Sequence, residues 1–158
     1  MHDNILKMEN QSITIDGRIQ LSGMLIYDNK NNLLLLHRIK HDHYETPGGK
    51  VEKLDCEDSV KIIEKDFLNT AIRETFEELG QEFIFEEPKY LKGINFEIPN
   101  GQKATAHKFK TKILFGTPKI NEPELFDEIK WFSKEELKKE ESKISPDLKL
   151  FLKEELLN

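Results

Sequence analysis

Cysteine is nearly absent from this chain. Cys56 stands alone among 158 residues, so no intramolecular disulfide forms and a multi-cysteine metal centre is excluded. No partner base lies beside it, and it reads as a loop or surface thiol. Long hydrophobic runs are missing too: the longest, "LLLL" at 33–36, is far too short to cross a bilayer. The opening "MHDNILKMENQS" has no basic stretch followed by an apolar one, so no secretory signal is legible. Basic charge is not in excess either. The 24 Lys and Arg face 30 Asp and Glu, a formal charge of −6 that argues against a nucleic-acid backbone as main partner while leaving room for a local basic pocket. Repeats, long linkers and low-complexity tails are also lacking. What is present, 37% hydrophobic and 34% charged residues, suits one polar globule, a single domain over 1–158 with a sizeable core. The expectation is a cytoplasmic protein with no membrane partner.

Along the chain, "RIQLSGMLIYD" (18–28) turns apolar and β-prone from Leu21 and ends at the turn signal "DNKNN". "LLLLHRI" (33–39) follows as a strand whose unbroken apolar run implies cover on both faces. The two are expected to pair as a hairpin. "HDHYETPGGK" (41–50) reads as a loop, with Pro47 restricting the chain and Gly48-Gly49 permitting a sharp turn. A helix is expected from Asp58 or Ser59, either of which can cap, with Val60, Ile63, Phe67, Ala71 and Thr75 at helical spacing and Gly80 at its end. Two strand-rich stretches meet at the hairpin turn Asn100-Gly101. A short strand at 129–133 and two helices, capped by Ser133 and by Ser145 with Pro146 at the first helical position, complete an α/β layered domain.

The helix carries the chemistry. Glu74, Glu77 and Glu78 stand at i, i+3 and i+4, so one turn gathers three carboxylates on one face. They also lie in the last turn, where the helix dipole disfavours anions; each unfavourable contribution is about 0.3–1 kcal/mol. A cation would offset it, and hard oxygen ligands select Mg²⁺, Mn²⁺ or Ca²⁺. Magnesium typically completes its shell with water and substrate phosphate, which links such a helix to a phosphorylated ligand. Arg73 can pair with Glu77 or reach back to the glycine loop. The bland alternative is a solvated acidic face, as read for "KEELKKEE" (134–141), which has no Arg–Glu order, no following glycine and no upstream glycine turn.

"GGKVE" followed by "RETFEELGQ" (73–81) resembles the Nudix box, G-x5-E-x7-R-E-U-x-E-E-x-G-U with U apolar. Arg73, Glu74, Glu77, Glu78 and Gly80 match letter for letter. The upstream "PGG" and the downstream "EPELFDEIKWFSKEEL" (122–137) extend the likeness over most of the chain. Three departures stand out. Six on from Gly49 is Asp55 rather than Glu; Thr75 and Gln81 fill apolar slots; and Gly49 precedes Arg73 by 24 positions where the pattern gives 14. The extra ten residues fall within about 56–66 and either lengthen a loop or extend the helix at its start.

The resemblance implies an α/β/α sandwich on a mixed β-sheet, and Mg²⁺-dependent hydrolysis of the pyrophosphate link in a small nucleoside diphosphate-X compound, with Mn²⁺ as a substitute ion. Carried over, Glu74, Glu77, Glu78 and the Gly49 carbonyl would hold metal, and Arg73 would orient the acids. Glu77 or Glu78 would act as base, or a later-loop acid: Glu124 first, Glu122 and Glu128 behind it. Arg38, Tyr44, Gly48 and Gly49 would meet substrate. Arg38 reads equally as a surface ion pair and Tyr44 as a loop plug. His37, His41 and His43 read as solvated, Trp131 as a core anchor, and His107 as facing either way. Two other readings stay open: a dinucleoside polyphosphate or RNA 5′-end hydrolase, with the acidic charge against RNA, and a non-catalytic Nudix-like nucleotide-binding module. The oligomeric state is not legible, and a homodimer is allowed.

Overall fold

The computed structural model describes residues 12–157. Its centre is a mixed sheet of nine strands among the described residues. β1 (Thr14–Ile15) folds onto β2 (Arg18–Tyr27), and β2 runs parallel to β8 (Lys103–Gly116) from Ile19↔Ala104 to Tyr27↔Lys112. β7 (Lys89–Glu97) joins β8 as the expected hairpin, its turn closed by Gly101 with φ +89°. β6 (Phe83–Phe85) borders the far end of β8. On the other side β3 (Leu33–Arg38) pairs antiparallel with β9 (Phe126–Phe132) and with β4 (His43–Glu45).

The expected hairpin of β2 and β3 is a connection more than a ladder, since the two strands pair only at Tyr27↔Leu33. Below that point they diverge, and β5 (Gly48–Lys50) takes the place beside β2, with Gly23 opposite Gly48. The Met24 N–H donates to the Pro47 carbonyl at 2.9 Å. So the stretch read as a plain loop, 41–50, holds two short strands separated by Thr46-Pro47. Extended backbone before a proline fits a strand edge as well as a turn.

Side-chain alternation sorts the core into two layers. Met24, Ile26, Leu34 and Leu36 point to one face and join Phe109, Phe126, Ala71 and Leu79 beneath helix α1 (Glu64–Leu79). Leu25, Tyr27, Leu33 and Leu35 point to the other. There they meet Leu137 of α2 (Lys134–Lys139) and Leu148 and Phe151 of α3 (Pro146–Lys153). That is why the "LLLL" run is unbroken: each leucine is fully buried, and burial of such a side chain stabilises by about 1.5–3 kcal/mol. The result is an α/β/α sandwich. Trp131 is half-buried against the α1 layer. No helix among the described residues is long and apolar enough to cross a membrane.

Helix α1 begins at Glu64, later than Asp58 or Ser59, and the expected apolar position Val60 is 92% exposed. The extra residues therefore lengthen mainly the loop, 56–63, ahead of the helix. The cap comes from inside the helix: buried Asp66 accepts the Ile63 N–H at 2.9 Å, and the Glu57 N–H at 3.4 Å ties the loop to the same carboxylate. Ser133 caps α2 through the Glu136 N–H, as expected. Ser145 stands before Pro146, but its hydroxyl caps nothing.

Candidate active site

Arg73 organises the acidic helix. Its Nε and Nη2 donate to the two oxygens of Asp55 at 2.8 and 2.9 Å, the bidentate geometry in which a guanidinium holds a carboxylate best. Asp55 lies in a single 3₁₀ turn (Lys53–Asp55) and also accepts Thr70 Oγ1 at 2.8 Å and the Glu52 N–H at 3.0 Å. Burial works against the charged Asp55, but the hydrogen bonds from Arg73, the Glu52 backbone and Thr70 outweigh it and hold its pKa below the ordinary value. The remaining Arg73 nitrogen donates to Glu74 at 3.1 Å and Glu77 at 3.4 Å, and Nη2 reaches the Lys50 carbonyl at 3.5 Å. Both expected roles of Arg73 are thus met at once. The acid six positions beyond Gly49 stands where the box has its first glutamate, and the insertion follows it, mostly in the loop 56–63 before α1.

The three glutamates occupy different environments. Glu78 is buried, 3% exposed, and accepts the Gly48 N–H at 3.3 Å. Burial, then Glu74 and Glu45 nearby, push its pKa well above the ordinary value, against the pull of Gly48 and Arg38. Glu74 is raised as well, by burial and by Glu77, with Arg73 opposing. Glu77 is half-exposed and turned to Arg73. The two glycines serve separate needs. A Cβ on Gly48 would sit 2.6 Å from the Ser22 carbonyl, whereas one on Gly49 would sit 2.5 Å from Glu74 Oε1. The first keeps strands together; the second leaves room for the Glu74 carboxylate. Thr75, in an apolar slot of the box, is buried with its hydroxyl turned back to the Ala71 carbonyl at 2.6 Å, and Gln81 is exposed.

These residues fit a hard cation. Buried Glu78, half-buried Glu74 beside it and a third carboxylate on the same turn form an all-oxygen donor set whose charge Arg73 and Arg38 offset only in part. Among the described residues no three acids already stand as a closed ligand set, because Glu77 faces Arg73.

The end of α1 also fixes the next loop. Gly80, φ +76°, stops the helix, and its last carbonyls are taken by the chain after β8: Lys119 N–H to Leu79, Asn121 N–H to Glu78, Asn121 Nδ2 to Glu77. This brings Glu122 beside the cluster. Its pKa is raised by burial, then by Glu77 and Glu124, with Arg38 opposing. Glu124, the first choice from sequence, is exposed, and Glu128 accepts the Tyr44 hydroxyl at 2.6 Å.

Across Gly48-Gly49 from the acids lies a cavity of about 700 Å³, lined by Arg38, His41, His43, Glu45, Phe96 and Lys108 among others. That size is in the range of small-molecule sites. Arg38 lines it while making a bidentate ion pair with Glu45 at 2.8 and 3.0 Å, over the Phe126 ring. Tyr44 does not line it; the plug reading describes that side chain, packed edge-on to Phe132. His37 is held by Asp127 and Asp42, and His43 by Glu45, so the histidines form no metal tract. His107 faces α1, stacked on Phe67. Glu45, Lys108 and Asp147 carry no signal in the sequence, being single charges on ordinary strand and helix positions.

An acidic helix turned toward a glycine strand, on a two-faced sheet with a cavity at the split, defines a fold built to handle phosphate. Residues 20–153 match the family model described as NUDIX domain, and the chain belongs to the Nudix family, hydrolases that act on phosphorus-containing acid anhydrides. The structure is similar to a MutT Nudix hydrolase from Burkholderia pseudomallei, with TM-score 0.67 and 22% identity over 86% of this chain and 96% of that one. An Ap4A hydrolase from C. elegans gives TM-score 0.63 and 20% identity over 85% and 93%. A UDP-X diphosphatase gives 0.55 and 16% over 87% and 61%. No curated protein matches by sequence.

Proposed function

We propose that this chain hydrolyses the pyrophosphate linkage of small nucleoside diphosphate-X compounds in the cytoplasm, with Mg²⁺ as its cofactor. The observation that carries the reading is the position of half-buried Glu74 and buried Glu78 on one side of Gly48-Gly49, with a nucleoside-sized cavity on the other. A diphosphate whose nucleoside fills the cavity passes over the glycines to the acids. Glu74, Glu77, Glu78 and the Gly49 carbonyl are the residues that would hold the ion. Once bound there, Mg²⁺ supplies neutralisation of the bridging oxygens and activation of water.

The protein's own groups do the rest. Asp55 fixes Arg73, and Arg73 fixes Glu74 and Glu77, so the helix presents its acids in one arrangement before substrate arrives. Glu45 holds Arg38 at the cavity rim, where its charge reaches Glu78 and Glu122 and a phosphate oxygen could be met. Glu122, ahead of Glu124, is the loop acid we assign as proton acceptor from the attacking water: it is the partly buried one, and burial with Glu77 and Glu124 nearby raises its affinity for a proton. Cys56, an unpaired thiol, accords with a reducing compartment.

The test is turnover of nucleoside diphosphate sugars, ADP-ribose and dinucleoside polyphosphates with Mg²⁺ and Mn²⁺ in parallel, on wild type, Glu77→Gln and Glu78→Gln. Each variant should lose about 10²-fold or more in kcat while remaining folded. Unchanged turnover in both variants removes the acid-helix mechanism, and nucleotide binding without any hydrolysis makes the chain a binding module.

A further inference from the structure

The cavity holds a polar group that the chemistry above does not use. Lys108 lies mid-strand on β8, on the face opposite α1, with 6% of its side chain exposed, and lines the cavity. Its Nζ donates to Thr46 Oγ1 at 2.5 Å and pairs with Asp147 Oδ2 at 2.8 Å. An ammonium has three N–H donors, so one is left without a partner among the described residues. Thr46 is 4% exposed, and its hydroxyl, which accepts from Lys108, has its own hydrogen still to give. Buried Ser145 lines the same cavity and turns its hydroxyl toward the Asp147 carboxylate. Around these atoms the cavity is apolar, with Leu21, Phe96, Ile98, Pro99, Ala106 and Pro146.

Unpartnered buried donors are costly, and they mark where a ligand atom belongs. The kind of atom follows from the charges. Asp147 already balances Lys108, so this wall attracts no free anion strongly; it offers hydrogen-bond donors with no net charge behind them. Phosphate is better served at the rim, where Arg38, Lys40 and Lys50 stand. The apolar walls and half-buried Phe96 suit a flat heterocycle.

We propose that Lys108 and Thr46 read the carbonyl of a keto nucleobase, selecting 6-oxopurine or 4-oxopyrimidine nucleotides over their 6-amino and 4-amino counterparts. A keto oxygen accepts from both donors at once. An amino group brings hydrogens to the same point: Thr46 can turn to accept one, but the Lys108 donor is left unpaired and faces hydrogens instead of a lone pair. This inference rests on the reading of the cavity as the nucleoside end of the site.

Inosine and adenosine nucleotides differ at that edge alone, which makes them the probe. Calorimetry of the metal-free protein should show inosine 5′-monophosphate binding about 30-fold more tightly than adenosine 5′-monophosphate, and uridine likewise over cytidine. Thr46→Val, close in shape, should bring both ratios to within about threefold. The double variant Lys108→Met with Asp147→Leu removes the pair without stranding a buried charge, and should do the same. Equal affinities in wild type, or ratios untouched in both variants, overturn the inference. Hydrolysis of inosine and adenosine 5′-diphosphoribose with Mg²⁺ separates the two claims. Turnover of both at equal kcat/KM refutes keto selection and leaves the hydrolase standing. Selective binding lost in Thr46→Val, with no turnover of any substrate, upholds keto selection and removes the hydrolase.

Discussion

Asp55→Ala is the sharpest perturbation of this structure. The variant deletes both oxygens that hold Arg73 at 2.8 and 2.9 Å and leaves Thr70 Oγ1 and the Glu52 N–H without their acceptor. Breaking a buried ion pair by removing one partner costs about 3–5 kcal/mol. Arg73 keeps Glu74 and Glu77 and is 23% exposed, so the lower end, about 3 kcal/mol, is expected here. With a urea slope of about 2 kcal/mol/M, the unfolding midpoint should fall by about 1.5 M. The pH dependence has a definite sign. Asp55's folded pKa is depressed, so its contribution is complete above the unfolded value of about 3.9 and is lost as pH falls through the folded one. Asp55→Asn, which mimics the protonated acid, should therefore differ from wild type at pH 7 and converge with it in strong acid. Asp55→Glu restores the residue the family pattern carries, yet it forces a methylene into a seat where the native side chain is 2% exposed, and should still cost about 1–3 kcal/mol. A midpoint for Asp55→Ala within 0.3 M of wild type, on the order of the extrapolation error, would show that Glu74, Glu77 and the Lys50 carbonyl suffice to hold Arg73.

Two further outcomes can be stated. Gly49→Ala brings its Cβ against the movable end of Glu74, so kcat should drop about 10²-fold with the unfolding midpoint nearly unchanged; Gly48→Ala meets backbone and should instead lose stability by about 2 kcal/mol or more, both read by urea unfolding beside turnover. His107 Nε2 lies against Gln20 Oε1 and Nδ1 against the Tyr90 hydroxyl, and burial, with no carboxylate at hand, lowers its pKa to about 4. Because the unfolded chain binds that proton near 6.5, stability should decline by about 2 kcal/mol between pH 8 and pH 5, a slope that His107→Leu should flatten.

Much of this architecture is legible from residue order because its causes are local. The doubly buried β3 follows from four successive leucines, the end of α1 from Gly80, and the acid cluster from the i, i+3, i+4 spacing. The start of α1 is not, since Asp58 and Ser59 are as good caps by type as the carboxylate that acts, Asp66, and Val60 falls at helical spacing by chance. The short strands β4 and β5 escape for another reason: three residues are too few to show a period, and β5 takes its ladder from β2, more than twenty positions back. Arg73 announces itself in the box, but its principal partner is set by a turn that folds back over 18 positions. Lys108 is harder still. Lys108, Lys110 and Lys112 alternate along β8, and only the approach of Asp147 on α3 singles out the first.

The detour between Asp55 and α1 is nearly free of charge to the fold. Stretching the path from Asp55 to Arg73 from eight positions to 18 adds only about 0.7 kcal/mol of closure entropy, and the clasp at Asp66 recovers part of that. Both ends are therefore pinned whatever happens at the tip, where Val60 projects into water. A fluorophore or an affinity handle attached at that tip would leave undisturbed the beams that hold the catalytic mouth in place.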